Sequence, residues 1–153
     1  FPGVGEARTT MNYLRERRID QLIRSLQQPV LGICLGMQLL CDYSEEGETS
    51  CIGVIPQRVK KFIPMEKNQK VPHMGWNSLG KIKAGFLPQD LEQAYVYFVH
   101  SYYVEEGQYT IGTTHHIQNF SAVLQKDNFY ATQFHPEKSG AVGEQILQHF
   151  LNL

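Results

Sequence analysis

Cys34 stands between two glycines, Gly32 and Gly36, where two sequence patterns meet. An apolar β-type run, residues 30–33, reaches it after Pro29, and a helix-type run, residues 35–43, leaves it. A sharp strand-to-helix turn forces its central residue into strained backbone angles and holds that side chain out for attack. Glycine on either side removes the Cβ atoms that would collide with the turn. The sulfur would also lie at a helix N-terminus, where the positive end of the dipole favours thiolate over thiol. The chemistry this points to is nucleophilic catalysis by sulfur. A buried structural cysteine at a strand end fits the same stretch, because free cysteine is among the most buried residue types. Cys41 and Cys51 lie in no such pattern.

A reactive thiol needs a base, and the base needs an orienting group. Six histidines compete for that role. His149 falls on a closing helix, His115 and His116 end a strand, and His100 is set in an apolar strand as a satisfied core histidine would be. His135 differs: it ends a strand and is followed by Pro136 and Glu137. Proline fixes its own φ and stiffens the link, so the Glu137 carboxylate can meet the His135 ring in a set geometry. Cys34 and His135 both fall at the C-terminal ends of predicted strands, where ligands bind in open α/β sheets. A metal site is the rival use of these residue types. With no C-x-x-C and no H-x-x-x-H, the spacing for zinc is poor, and no metal or cofactor is expected.

These groups need a scaffold. The spacing of Ala7, Met11, Leu14, Leu22, Ile23 and Leu26 predicts one helix over residues 6–26, ended by Pro29. A helix before and after the short apolar strand reads as a βαβ unit, hence an α/β fold with a mostly parallel sheet and helices on both faces. Residues 44–48 form an acidic loop, residues 52–62 one or two short strands, and residues 65–72 a polar loop. Residues 95–104 are the strongest strand, rich in aromatic and β-branched side chains. Residues 109–115 make another strand, and residues 122–125 and 129–134 flank a hairpin turn at Asp127-Asn128. The second half therefore has more antiparallel character. Residues 139–151 read as a closing amphipathic helix.

The totals exclude several classes. The 153 residues suit a single domain, 1–153, and 42% hydrophobic content against 19% charged allows a packed core. A net charge of −1 gives no support for a nucleic-acid surface. No apolar run approaches the roughly 18–20 residues that span a bilayer. Three cysteines make no disulfide framework, which points to a reducing, cytoplasmic setting. The chain opens on Phe1-Pro2-Gly3 rather than on Met, so we expect a longer N-terminal part.

The residues around Cys34 and His135 carry a resemblance. Gly32-Ile33-Cys34-Leu35-Gly36-Met37-Gln38 with Phe134-His135-Pro136-Glu137 resembles the triad-type, class I glutamine amidotransferases. Pro2-Gly3-Val4-Gly5, Pro72-His73-Met74-Gly75-Trp76-Asn77, Phe98-Val99-His100-Ser101-Tyr102 and Glu137-Lys138-Ser139-Gly140 resemble the glutaminase subunits of imidazole glycerol phosphate synthase, of histidine biosynthesis. The resemblance implies a three-layer α/β fold, with a strand–helix–strand part preceding Pro2-Gly3-Val4-Gly5. It implies a Cys34, His135, Glu137 triad that hydrolyses glutamine to glutamate and ammonia. Val4 and Leu35 would supply oxyanion N–H groups, while Gly5, Gln38, Glu46, Ser101 and Tyr102 would hold the substrate. Trp76, Asn77, Tyr97 and Lys138 would face a partner cyclase, a (β/α)8 barrel that receives the ammonia through a tunnel in a heterodimer. Two alternatives remain open: a paralogous amidotransferase subunit feeding another acceptor, such as a surface-sugar precursor, and a non-catalytic partner subunit.

Overall fold

A computed structural model describes residues 1–3 and 5–153; Val4 lies outside the described residues, and for Pro2 and Gly3 only the backbone is considered. Strand β1, Pro2–Gly3, leads into helix α1, Ala7–Glu16. The helix begins there because the Glu6 carboxylate accepts the N–H groups of Arg8 and Thr9, and it docks through Ala7, Met11 and Leu14, one stripe at helical spacing. The single helix predicted over residues 6–26 is broken. Arg18 takes the left-handed conformation (φ 56), and a second helix, α2, Ile19–Ser25, starts anew. The re-aimed second piece buries Ile23 and leaves Leu22 in solvent, although both fit the apolar spacing.

Strand β2, Val30–Cys34, and helix α3, Leu35–Leu40, meet at Cys34. The helix is shorter than the run 35–43 suggested: strand β3, Cys41–Ser44, follows at once. Strand β4, Thr49–Ser50, folds back on β3, and β5, Ile55–Lys61, runs parallel to it. Strand β6, His73–Ser78, and strand β7, Tyr95–His100, form a separate antiparallel pair.

The strand expected over residues 95–104 is in fact two. After β7 the chain leaves that pair at Ser101, and β8, Tyr102–Val104, joins the main sheet beside β5. Strands β9, Thr110–His116, β10, Gln118–Lys126, and β11, Phe129–Thr132, follow, with the hairpin turn at Asp127-Asn128. Helix α4, Gly140–Leu151, closes the chain.

The main sheet runs β1-β2-β11-β10-β8-β5-β3-β4, with β9 paired to β10. It is mixed rather than mostly parallel. Parallel pairing holds for β1–β2, β2–β11 and β3–β5, and the hairpins supply the antiparallel remainder. The parallel trio β1-β2-β11 is the part that carries Cys34 and leads to His135. Alternating side chains show the layers. Val30, Val104, Phe129 and Ala131 join a core with Met11, Leu14, Ile23 and Leu39 from the first three helices. Leu31, Tyr103 and Val123 point the other way, into a core with Phe98, Phe120, Phe134 and Ile146 under β7 and α4. Helices α1 to α3, sheet, and α4 with the β6–β7 pair make three layers.

Candidate active site

Cys34 is the last residue of β2 and the N-cap of α3, so strand gives way to helix at this one position. Its backbone sits at φ 54, ψ −109, a region that costs a side chain on the order of 1–3 kcal/mol. The flanking glycines are there for close approach. A Cβ on Gly32 would lie 2.8 Å from Leu40 Cδ1, and one on Gly36 would collide with the Phe1 carbonyl oxygen. The half-buried thiol lies 3.8 Å from the Val99 carbonyl oxygen and 3.8 Å from Gln133 Nε2. Burial pushes it up to about 11; the Leu35 N–H at the head of α3 opposes this, while Glu137 and Glu46 add to it. In the free protein the sulfur is therefore a thiol, and a base must act on it.

The expected base, His135, lines the same cavity as Cys34. His135 Nδ1 is 2.6 Å from Glu137 Oε1 across Pro136, in a single turn of 3₁₀ helix, residues 136–138. The His135 ring is buried and the Glu137 carboxylate half exposed. With Nδ1 turned to a carboxylate it is the protonated nitrogen, and Nε2 is left as an acceptor. The backbone of His135 is fastened on both sides: its N–H donates to the Tyr97 carbonyl at 2.9 Å, and its carbonyl accepts from Ser139 Oγ at 2.6 Å. Ser139 Oγ in turn accepts the Tyr97 N–H at 3.0 Å. Below it α4 packs so tightly that a Cβ on Gly143 would collide with the Pro136 carbonyl.

One cavity of about 410 Å³ joins these groups. Cys34, Leu35 and Gln38 come to it from the elbow, Glu46 from the acidic loop, Gly5 from the turn after β1, Ser101 and Tyr102 from the gap between β7 and β8, and His135 with Lys138 from the 3₁₀ turn. Burial raises the Glu46 carboxyl above its usual range, while the Ala7 N–H, at 2.9 Å from Oε2, holds it in place. Gln38 Nε2 donates to the Tyr102 carbonyl and to Gln133 Oε1, both at 3.0 Å, so its own carbonyl oxygen remains to accept. Val4, the expected second oxyanion donor, lies outside the described residues.

Trp76 and Tyr97 lie outside that cavity. They are cross-strand partners of β6 and β7, set edge to face at 6.1 Å, with Trp76 55% exposed. Trp76 is therefore no core tryptophan. Asn77 is turned inward: its Nδ2 faces His73 Nε2 at 3.1 Å and the His115 carbonyl at 2.9 Å. His73 Nδ1 meets His100 Nε2 at 2.9 Å, and His100 Nδ1 meets the Tyr102 carbonyl at 2.7 Å. His100 is thus a satisfied core histidine. Gln133 and Ser139 are the contacts that sequence reasoning missed. The one signal for Gln133 was its place two residues before His135 on the same strand run.

A strained cysteine and a carboxylate-bound imidazole in one cavity, beside a helix N-terminus, suit acyl transfer through a thioester. The glutamine amidotransferase class-I family matches residues 1–153. The chain belongs to that family of glutamine-using enzymes. The chain is 56% identical over 153 residues to imidazole glycerol phosphate synthase subunit HisH of Bacteroides thetaiotaomicron, spanning 100% of this chain and 78% of that protein. It is 48% identical over 154 residues to imidazole glycerol phosphate synthase subunit HisH 2 of Legionella pneumophila, spanning 100% and 77%. A crystal structure of a glutamine amidotransferase superimposes with a TM-score of 0.68 over 97% of this chain and 76% of that one; at 16% identity it speaks for the fold.

Proposed function

We propose that this chain hydrolyses glutamine to glutamate and ammonia through Cys34, His135 and Glu137, and passes the ammonia to a cyclase partner for imidazole glycerol phosphate formation. The observation that carries the reading is a strained Cys34 that lines one cavity with a His135 ring bound at 2.6 Å to Glu137. The names of the HisH relatives support the acceptor and the pathway.

His135 Nε2 takes the proton from the Cys34 thiol as the sulfur attacks the side-chain amide carbon of glutamine. The imidazolium so formed is stabilised by Glu137. The oxyanion of the tetrahedral intermediate meets the Leu35 N–H and, by family resemblance, that of Val4. His135 then gives its proton to the departing nitrogen, and ammonia leaves a thioester on Cys34. Water, deprotonated by His135, attacks the thioester carbon and releases glutamate. Glu46 receives the α-ammonium of the substrate by charge, with the Gln38 carbonyl oxygen; Gly5, Ser101 and Tyr102 complete the pocket. Trp76, Tyr97, Lys138 and Asn77 lie towards the cyclase in a cytoplasmic heterodimer, with residues 1–153 acting as one glutaminase domain.

The test is turnover and labelling in the full-length protein. Cys34→Ala abolishes glutamine hydrolysis, Cys41→Ala and Cys51→Ala retain it, and a diazoketone analogue of glutamine adds mass at Cys34 alone. Turnover rises by orders of magnitude when the cyclase and its acceptor are added. Labelling at Cys41 or Cys51, or turnover by Cys34→Ala, overturns the reading.

A further inference from the structure

Gln133 is wholly buried, with its backbone N–H fixed on the Ala122 carbonyl at 2.8 Å. Its side-chain amide lies between Gln38 and the Cys34 sulfur. The two ends of an amide look alike, so orientation has to come from the hydrogen-bond network. Here a backbone carbonyl decides it. The Tyr102 oxygen can only accept, so the Gln38 atom 3.0 Å from it is the nitrogen. The Gln133 atom 3.0 Å from that same nitrogen must then be oxygen. Turning either amide over would set two acceptors or two donors face to face. The remaining end of Gln133, its NH₂, is thereby aimed at Cys34 Sγ, 3.8 Å away. The chain does not stop at Tyr102, whose carbonyl also takes the His100 Nδ1–H.

We propose that Gln133 is a catalytic group: its N–H donates to the Cys34 sulfur as the thiol proton leaves, with Gln38 and the Tyr102 carbonyl holding the amide in the donating orientation. A separation of 3.8 Å is long for a neutral thiol, and such contacts tighten when charge develops. The need for a donor is plain from the surroundings. Burial, Glu137 and Glu46 all disfavour a negative sulfur, and among the described residues the Leu35 N–H and Gln133 counter them. An amide is well suited here because it stabilises the thiolate without competing with His135 for the proton.

This proposal rests on Cys34 as the nucleophile, and the experiment separates the two. In the full-length protein, the pH dependence of Cys34 alkylation by iodoacetamide is read by peptide mass spectrometry. In Gln133→Met, which keeps the volume and loses the donor, we expect the alkylation midpoint to rise by about one pH unit. The kcat for glutamine should fall ~10-fold with KM little changed, as for removal of a transition-state contact. Gln133→Glu, which puts an acceptor against the sulfur, moves the midpoint further. A folded Gln133→Met with the wild-type midpoint overturns the proposal. Should that variant fail to fold, the wild-type protein still decides. With glutamine side-chain nitrogens labelled, the Gln133 NH₂ resonance shifts as Cys34 titrates, and a resonance that stays put overturns it. If the diazoketone labels another residue, the nucleophile assignment fails. If it labels Cys34 while the midpoint is unmoved, Gln133 alone fails.

Discussion

The N–H of His135 donates to the carbonyl of Tyr97 at 2.9 Å, which ties the residue proposed as base to the strand whose outer neighbour is Trp76. Ser139 closes the same loop from the other side, taking the Tyr97 N–H and giving its own proton to the His135 carbonyl. A movement of β7 at the exposed Trp76–Tyr97 pair would therefore be felt at His135 through one backbone hydrogen bond and through the Ser139 hydroxyl.

Ser139→Ala tests that tie. The substitution leaves the Tyr97 N–H without its buried partner, at a cost of about 1–3 kcal/mol. We expect a lower melting temperature and a several-fold loss of kcat. Ser139→Thr, which keeps the hydroxyl, should recover part of both. Calorimetry and glutamine turnover measured side by side check this, and wild-type kcat in Ser139→Ala would break the link.

Glu137→Gln keeps the shape of the orienting group and removes its charge. The imidazolium formed during acylation then loses its counter-ion, and turnover should drop by roughly ten- to ten-thousand-fold. Because Glu137 is half exposed, its loss should leave the melting temperature almost unchanged. Stopped assays of glutamate release give the first quantity and thermal melts the second.

The buried pair His73 and His100 makes stability depend on pH. Burial is the main cause that holds them below the ordinary range, at about 4 and about 3, and the neighbouring His116 adds to it. In the unfolded chain both rings would titrate near ~6.5. Below that value the unfolded state binds protons that the folded state refuses. The contribution of the neutral pair is therefore intact above about pH 6.5 and lost as pH falls towards 4. At pH 5 the loss is on the order of 2 kcal/mol per ring. Melting temperature should fall between pH 7 and pH 5, and His73→Gln should flatten the slope. Parallel slopes in the two proteins would contradict this.

The elbow could be read in advance because its signal is local. Gly32 and Gly36 are placed where backbone must approach backbone, and His135 and Glu137 are separated only by a stiff proline. Helices on both faces of a sheet followed from the order of the apolar runs, and the three-layer fold from the family resemblance. What stayed hidden depends on partners distant in sequence. Nothing in Arg15-Glu16-Arg17-Arg18 marks the helix break, because no glycine or proline stands there; burial of Ile23 decides it. Ser101 splits a run of ideal strand residues because His100 must reach the β6–β7 pair while Tyr103 packs in the main sheet. Gln133 and Ser139 carry no motif chemistry of their own, and each acquires its part only from the Cys34 sulfur or the Tyr97 amide that folding brings to it.

The backbone angle at Cys34 has a consequence for how this protein can fail. Glycine adopts φ 54 freely, so Cys34→Gly releases strain on the order of 1–3 kcal/mol and gives back roughly 1 kcal/mol through the looser unfolded chain. The inactive protein should melt at a higher temperature than the active one. A screen that rewards thermal robustness or expression yield, with no demand for turnover, would then drift towards discarding the proposed nucleophile, and the best-behaved variants it returned should be dead enzymes.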